Sequence, residues 1–399
     1  AGLTSAERVR SAFDHRQQSV CREQSVCREP DRVPIYEQSV CCRVASEVMG
    51  RRMRTGGGRI RWEETSARWE SETAWQEYVG HLIEDVGDLI RALNFDLVGM
   101  PWRHSARPSA KLDDFTFRYE DPETGLWSVF HYDEGTDVFD QVDSSIRSEG
   151  IAAIEKAVAA AERGAENAGP PTVEEMAELH ALAHAAGGER AVKSGAGFLQ
   201  IPVEAAWLEA AASRPDLIKR YLDAGVRQAL VSIPELPKYG ISVLWAGGDL
   251  ASNGGPIYSP AMFRRFILPR LKTIVEAAHA AGLRYLFRTD GDIRPIAQEL
   301  LVESGVDGYG EIDIDAGMDP VELKQRFPKL TLWGGISCGG TLVSQSPDGV
   351  REAVRRVMEQ CKPGGGFIFG SSNSIHAGIP TENFLAMQEA ASEFGRYAA

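Results

Sequence analysis

The C-terminal half of the chain alternates short apolar runs with stretches of helical periodicity. Four apolar runs cover residues 284–287, 308–310, 330–335 and 367–370, and each ends in a group of polar residues. A helical pattern follows every run. Such alternation builds a parallel sheet whose strand ends are aligned. The carboxyl ends of these strands are where parallel sheets carry their chemistry.

Four further apolar runs precede this region, at residues 32–36, 95–99, 191–196 and 241–246. Eight strands in strand–helix order predict an α/β fold of the (β/α)8 TIM-barrel type. A doubly wound open sheet is the alternative, but it needs a glycine-rich fingerprint after the first strand, and the sequence has none there. Capping residues followed by proline predict helix starts at Ser259, Asp319 and Ser346.

Two segments depart from this rhythm. Residues 115–119, 126–132 and 136–141 alternate apolar and polar positions, so residues 103–145 predict an antiparallel meander inserted after strand two, placed to act as a lid. Residues 1–30 form an N-terminal extension with an amphipathic helix carrying Leu3, Val9 and Phe13. Residues 51–61 are basic and glycine-rich and predict a loop. We expect residues 1–399 to form one domain.

Charge excludes one class of partner. The chain has 43 Lys and Arg against 57 Asp and Glu, a formal net charge of -14, which repels phosphate backbones, so no nucleic acid is expected. No stretch is long and apolar enough to span a bilayer, and the first ten residues carry charges where a signal peptide needs an apolar core. A soluble, cytoplasmic protein without membrane contacts is the expectation.

Four of the six cysteines lie in the first 42 residues. Cys21, Cys27 and Cys41 each end a Gln-Ser-Val-Cys tetrapeptide, and Cys42 follows directly. Zinc sites need paired ligands with a second pair further on, which is missing, so a local sequence duplication is the favoured explanation. A disulfide framework is not expected in a long chain without secretion signals.

If the barrel closes, the strand ends meet in one cavity. Glu311, Asp290 and His376 are the predicted catalytic residues, because a carboxylate in a half-apolar cavity has a raised pKa that suits acid or base work. An internal ion pair with Arg288 is the structural alternative for the two carboxylates. A metal set of Glu311, Cys338 and His376 is a further prediction, although Cys338 is more commonly a small buried packing group.

Other residues at the same strand ends are predicted to bind substrate. Tyr36, Trp102 and Phe198 either line a pocket for a flat substrate or belong to the core. The predicted substrate-binding residues are Glu37, Tyr36, Trp102, Phe198, Asp249, Arg288 and Asn373.

The motifs resemble those of the uroporphyrinogen decarboxylase superfamily over nearly the whole chain after residue 28. They are Asp31-Arg32-Val33-Pro34, Thr289-Asp290-Gly291-Asp292, Gly305-Val306-Asp307-Gly308, Glu311 with Ala316-Gly317-Met318-Asp319, and residues 364–376 with Glu382-Asn383. The resemblance implies a (β/α)8 barrel and one of two chemistries: decarboxylation of a tetrapyrrole, or methyl transfer between small substrates and corrinoid proteins.

The chain departs from both well-known patterns of the superfamily. The decarboxylase follows its opening motif with an arginine-bearing loop that grips substrate carboxylates, whereas this chain continues with Ile35-Tyr36-Glu37-Gln38. Asp96 is the position that resembles the decarboxylase's catalytic aspartate. Thiol-methylating members carry a zinc-binding His-x-Cys after strand five and a cysteine after strand eight. Here Arg288-Thr289-Asp290 and a cysteine-free loop occupy those places.

The remaining resemblance is to the corrinoid-dependent methyltransferase-like branch. It implies an O-demethylase component that moves a methyl group from a small methoxylated or methylated substrate to cobalamin on a partner corrinoid protein. The leaving oxygen would be protonated or polarised by a metal such as zinc. The alternatives are a lyase that decarboxylates uroporphyrinogen or another carboxylate without a cofactor, and a non-catalytic small-molecule-binding barrel. The resemblance also implies a homodimer.

Overall fold

A computed structural model of the chain describes residues 3–15 and 31–397, and its β-strands are short and widely spaced along the sequence. The strands are β1 Leu97–Val98, β2 Ala110–Lys111, β3 Thr116–Glu120, β4 Trp127–Asp133, β5 Val138–Ser144, β6 Ala191–Ser194, β7 Ile241–Gly247, β8 Ala251–Ser252, β9 Gly255–Pro256, β10 Arg284–Arg288, β11 Gly308–Ile312, β12 Thr331–Ile336 and β13 Phe367–Ser371.

Helices fill most of the chain between these strands. The α-helices are α1 Ser5–Phe13, α2 Cys42–Met49, α3 Gly58–Glu70, α4 Glu72–Ala92, α5 Ser145–Glu149, α6 Ile151–Glu166, α7 Val173–Ala185, α8 Ala205–Ser213, α9 Pro215–Ser232, α10 Pro260–Met262, α11 Leu268–Ala280, α12 Pro320–Arg326, α13 Thr341–Ser344, α14 Pro347–Cys361 and α15 Thr381–Phe394. Shorter 3-10 or π turns lie at Ile233–Tyr239, Phe263–Ile267, Arg294–Ile296 and Glu299–Glu303.

Seven strands form one parallel sheet. Their order is β1-β6-β7-β10-β11-β12-β13, so each strand lies beside the next parallel strand along the chain. Every neighbouring pair in this sheet is parallel. The predicted α/β fold with a parallel sheet is therefore confirmed, and the carboxyl ends of the strands meet at one edge.

The segment of residues 33–37 lies between the two outer strands of this sheet. Tyr36 N donates to Phe369 O at 2.9 Å and Phe369 N donates to Pro34 O at 2.8 Å, which is a parallel bridge to β13. On the other side, Asp96 N donates to Ile35 O at 2.8 Å, just before β1. These backbone bonds on both sides connect the first and last strands of the sheet into a ring.

Helix α1 packs against the inner face of the sheet at the amino ends of the strands. Its Val9 and Phe13 are buried and form a cluster with Leu97, Trp245 and Trp333. The amphipathic helix predicted from the sequence is thus present, and its apolar face is what it buries. Cys21 and Cys27 of the repeated tetrapeptides lie outside the described residues, whereas Cys41 and Cys42 are buried and free.

A separate antiparallel sheet follows β1 along the chain. It contains β2, β3, β4 and β5 in sequence order. Phe117, Tyr132 and Phe139 form its own small apolar core. The sheet occupies the region in which the alternating pattern predicts a meander, and its role as a lid stays a prediction.

The loop predicted at residues 51–61 is wrong at its C-terminal end, because α3 begins at Gly58. The reason is a tertiary contact with the antiparallel sheet. Gly58 N donates to Asp137 O at 2.9 Å, and Arg59 N donates to Asp137 Oδ1 at 2.8 Å. Asp137 thus accepts hydrogen bonds from the free N–H groups at the helix start. A capping residue close in the sequence usually does this.

The helix starts predicted from a capping residue followed by proline are confirmed. The side chains of Ser259, Asp319 and Ser346 each accept a hydrogen bond from a backbone N–H in the first turn of the helix that follows. None of the helices in the described part of the chain combines the length and apolar character needed to cross a bilayer.

Candidate functional site

Glu311 has an unusual backbone conformation at the carboxyl end of β11. Its φ is +63°, in the left-handed region that non-glycine residues rarely adopt. The pairing of β11 with β12 shifts register between Gly310 and Ile312, so Glu311 is the extra residue of a bulge. Bulges re-aim a side chain, and strain of about 1–3 kcal/mol persists mainly at functional sites.

The Glu311 carboxylate is only half satisfied. Its side chain is 4% exposed, and Arg288 Nη1 donates to Oε1 at 3.1 Å. Gln38 Nε2 donates to the same oxygen at 2.5 Å. No described residue donates to Oε2. Burial raises the pKa of Glu311 to about 6, against the opposing effect of Arg288.

Asn373 connects Glu311 to a second acid. Its Nδ2 donates to Asp290 Oδ2 at 3.0 Å, and its Oδ1 accepts from Gln38 Nε2 at 3.3 Å. Burial, with the nearby charges of Asp249 and Asp313, raises the pKa of Asp290. The predicted residues Asp290, Glu311, Arg288 and Asn373 therefore come together, and Gln38 joins them. These five are called the Glu311 cluster below.

Lys193 is a residue that the sequence reasoning missed. It lies on β6, and its Nζ is 5.5 Å from the centre of the Tyr36 ring. Burial first, and then the charge of Arg288, lowers its pKa to about 8, whereas Glu311 raises it. The signal was available, since a lysine within the run Ala191-Val192-Lys193-Ser194 is unexpected in a buried strand.

The three predicted aromatic residues have different environments. Tyr36 is buried against Trp245 and Trp333, with ring centroids 5.2 and 5.7 Å away, and lies beneath Lys193. Phe198 is 45% exposed, and the Arg288 guanidinium lies 6.0 Å from its ring. Trp102 is 77% exposed and stacks on Arg61, with no contact to the Glu311 cluster among the described residues.

His376 does not join Glu311 and Asp290, contrary to the predicted constellation. Its side chain is exposed, and both ring nitrogens face backbone groups: Nε2 is 3.3 Å from Cys338 O, and Gly378 N donates to Nδ1 at 3.1 Å. The tight turn at residues 376–378 holds the ring in this position. A catalytic role for His376 therefore stays a prediction without contacts to support it.

The predicted metal set does not assemble either. No group of three or more His, Cys, Asp and Glu side chains within residues 3–15 and 31–397 is arranged to hold a metal ion. Cys338 is buried, and burial raises the pKa of its thiol to about 11, which disfavours the thiolate that zinc binds. The residues present do not fit a zinc site formed by Glu311, Cys338 and His376.

The Glu37 side chain contacts β13 and not the Glu311 cluster, so it joins the segment of residues 33–37 to that strand. Ser371 N donates to its carboxyl oxygens at 3.1 and 3.2 Å, and its side chain also contacts Ser371 Oγ. Burial raises the pKa of Glu37 to about 8. Ser371 Oγ has one proton and two acceptors within reach, Glu37 Oε2 and Asn373 O at 2.6 Å, so it donates to one of them at a time. These contacts are structural, and a substrate contact for Glu37 stays a prediction.

Asp96 lies at the opposite, amino end of the strands. It is fully buried and accepts from Arg32 Nη1 at 2.6 Å, Arg32 Nη2 at 3.0 Å, Ile35 N at 2.8 Å and Arg8 Nη1 at 3.2 Å. Both carboxylate oxygens are saturated with donors. The residue that resembles the decarboxylase's catalytic aspartate thus stabilises the base of the ring.

A solved structure that covers nearly the whole chain has a similar fold. A solved methyltransferase from Methanosarcina mazei is similar with a TM-score of 0.59 and 16% identity, over 98% of this chain and 99% of that chain. A sugar phosphate isomerase/epimerase from Parabacteroides distasonis has a TM-score of 0.30 and 10% identity, over 54% of this chain and 75% of that chain. No curated protein sequence matches the chain.

The sequence model of the uroporphyrinogen decarboxylase family matches residues 205–394. This range contains β7, β10, β11, β12 and β13, and with them Arg288, Asp290, Glu311 and Asn373. Over these residues the family model confirms the resemblance drawn from the motifs.

Proposed function

We propose that this protein is a methyltransferase that moves a methyl group from a small methoxylated or methylated substrate to a corrinoid on a partner protein. The observation that carries the proposal is the Glu311 carboxyl group, which has one unpartnered oxygen, a strained backbone and a pKa raised to about 6. A proton held there near neutral pH suits general acid catalysis. The similarity to a methyltransferase supports this chemistry over the alternatives.

Three residues of the Glu311 cluster have roles in this reaction. Arg288 and Gln38 fix Oε1, so the proton resides on Oε2, the oxygen that faces the reacting group. The bond between the methyl carbon and its oxygen breaks, and the oxygen leaves with the bonding pair and takes the proton of Glu311. The corrinoid of the partner supplies the nucleophile that accepts the methyl group.

The environment of the cluster also favours an acid over a thiol-activating metal site. The residues after β10 are Thr289 and Asp290, and the loop after β13 contains no cysteine. The proposed substrates are therefore methyl ethers or methylamines, whose leaving atom needs a proton. Activation of a thiol acceptor by a metal would require a different set of metal ligands.

A methyl-transfer assay with free cob(I)alamin tests the proposal. Panels of methoxyaromatic compounds and methylamines are mixed with the protein, and the loss of cob(I)alamin absorbance is followed with the appearance of methylcobalamin. We expect turnover with at least one panel member. Absence of methyl transfer from both panels, repeated with corrinoid proteins as acceptors, would overturn the proposal.

Decarboxylation of uroporphyrinogen or another carboxylate is the second candidate function. The pairing of Arg288 with Glu311 favours it, because a guanidinium can hold a carboxylate while a nearby acid protonates the carbanion left by CO2. This reaction needs no cofactor. Release of CO2 from a carboxylate without any methyl transfer would select this candidate.

A further inference from the structure

The Lys193 side chain extends from β6 into the centre of the ring, although the rest of this strand suits the core. On its side of the sheet, β1 ends at Val98 and the next residue is Gly99. A Cβ at position 99 would be 2.7 Å from Lys193 Cγ and 3.1 Å from its Nζ. Glycine at this position therefore leaves the room through which the lysine side chain passes.

The Lys193 ammonium group lacks an acceptor. Among the described residues, none accepts a hydrogen bond from its Nζ or pairs with it as an acid, and the centre of the Tyr36 ring lies 5.5 Å away. Leaving the three N–H donors of a partly buried ammonium group without hydrogen bonds costs free energy. A ligand that brings acceptor oxygens would satisfy them.

Arg288 has open donors in the same place. It gives only Nη1 to Glu311, and no described residue accepts from its Nε or Nη2. Its side chain is 30% exposed, so these groups remain accessible. Arg288 and Lys193 are close enough that the arginine charge lowers the lysine pKa. Two cations with free donors thus lie near each other, and Arg288 is also 6.0 Å from the Phe198 ring.

We propose that Lys193 and Arg288 together bind a carboxylate of the substrate, so that the methyl donor is a methoxylated aromatic acid. The half-exposed Phe198 ring provides the apolar face against which an aromatic ring packs. The transfer of the methyl group rests on the proposed function. The carboxylate site rests only on the contacts of Lys193, Arg288 and Phe198.

Charge balance selects a carboxylate over a phosphate. Glu311 pairs with Arg288, and Asp249 and Asp290 lie near enough to Glu311 to raise its pKa. A singly charged carboxylate matches two cations that are partly neutralised, whereas a doubly charged phosphate ester adds repulsion from three acids.

Binding measurements on the folded protein, without any corrinoid, test this proposal. Isothermal titration at pH 7 compares 4-methoxybenzoate with the neutral isostere 4-methoxybenzamide and with 4-methoxyphenyl phosphate. At this pH Lys193 is charged, because its pKa is about 8. We expect the benzoate to bind at least tenfold more tightly than the amide, as charge-assisted hydrogen bonds allow. Equal affinities, or tightest binding of the phosphate ester, would overturn the proposal.

Three variants and one control locate the effect. Lys193→Met is expected to weaken benzoate binding about 10- to 100-fold while leaving amide binding unchanged, and Lys193→Arg should retain part of the affinity. Gly99→Ala keeps every charge but obstructs the lysine side chain, so it should weaken benzoate binding too. Lys156→Met, an exposed lysine paired with Glu149, is the matched control and should change nothing.

The outcomes separate this inference from the proposed function. Tight, Lys193-dependent binding of the benzoate without methyl transfer would keep the carboxylate site and reject the methyltransferase. Methyl transfer from methylamines or neutral methoxyarenes, with no gain from a carboxylate, would keep the methyltransferase and reject the carboxylate site. An unchanged benzoate affinity in folded Lys193→Met would also reject it.

Discussion

The two ends of the parallel sheet each bury an acid against an arginine, and they use it differently. At the amino end, Asp96 accepts four hydrogen bonds from Arg8, Arg32 and the Ile35 backbone. At the carboxyl end, Glu311 accepts two, both on one oxygen. A saturated carboxylate stabilises the fold, whereas a half-satisfied one retains capacity for a ligand. The number of donors thus separates these two acids, whereas burial does not.

The largest expected effect is on activity at the carboxyl end. Glu311→Gln removes the transferable proton and keeps the shape, so methyl-transfer turnover should fall about 10²- to 10⁴-fold with little change in melting temperature. Initial rates of methylcobalamin formation and thermal unfolding measure the two quantities. The control is Glu303→Gln on an exposed surface, which should leave both unchanged. Wild-type turnover in Glu311→Gln would remove Glu311 from the mechanism.

The next effect is on stability at the amino end. Asp96→Asn leaves Arg8 and Arg32 without their buried counter-charge, and the free energy of unfolding should fall by about 3–5 kcal/mol. Urea unfolding measures this loss. Turnover per folded molecule should stay near the wild-type value. A variant with unchanged stability but lost turnover would instead place Asp96 in the reaction and erase the contrast between the two ends.

Glu37 sharpens the comparison with a third buried acid. The folded protein holds its proton up to a pKa of about 8, whereas the unfolded chain releases it near 4.5. The folded state therefore binds more protons between these values, so stability falls as pH rises through this window. Glu37→Gln should raise the free energy of unfolding by about 1–3 kcal/mol at pH 8, and by little at pH 4.5. Urea titrations at both pH values measure it, and a gain that is independent of pH would argue against protonation.

The smallest expected effect is a change of rate with pH. If protonated Glu311 is the acid, turnover should fall about tenfold per pH unit above its pKa of about 6. Arg288 lowers this pKa, so Arg288→Gln should move the midpoint to higher pH. The other charged groups near Glu311 are Lys193, Asp249 and Asp290. Titration of Lys193 should add a second transition to the pH–rate profile near pH 8. A flat profile between pH 5 and 8 would contradict the acid role.

Periodicity predicted the elements of the parallel sheet because each buried strand is an apolar run bounded by polar residues. The strand predicted at residues 308–310 continues to Ile312, since the bulge at Glu311 depends on pairing with β12 and leaves no local signal. The start of α3 was missed for the same reason, because its capping group comes from Asp137, far along the chain.

The candidate site was predicted only in part. Strand ends identified Arg288, Asp290, Glu311 and Asn373, since the fold brings these positions together. His376 follows the same strand as Asn373, but a turn directs its ring to the backbone. Lys193 was missed because it lies inside its strand instead of after it. Which way a side chain points depends on packing that no single segment encodes.

The bond between Glu37 and Ser371 joins residues that are 334 positions apart in the chain. Synthesis from the amino terminus therefore leaves the segment of residues 33–37 without its partner β13 until almost all of the described chain has been made. During that interval the sheet is open, and its edge strands are available to other molecules. Contacts of such long range also form slowly. We expect assembly of this protein in the cell to be limited by that last pairing, and chains truncated before β13 to aggregate.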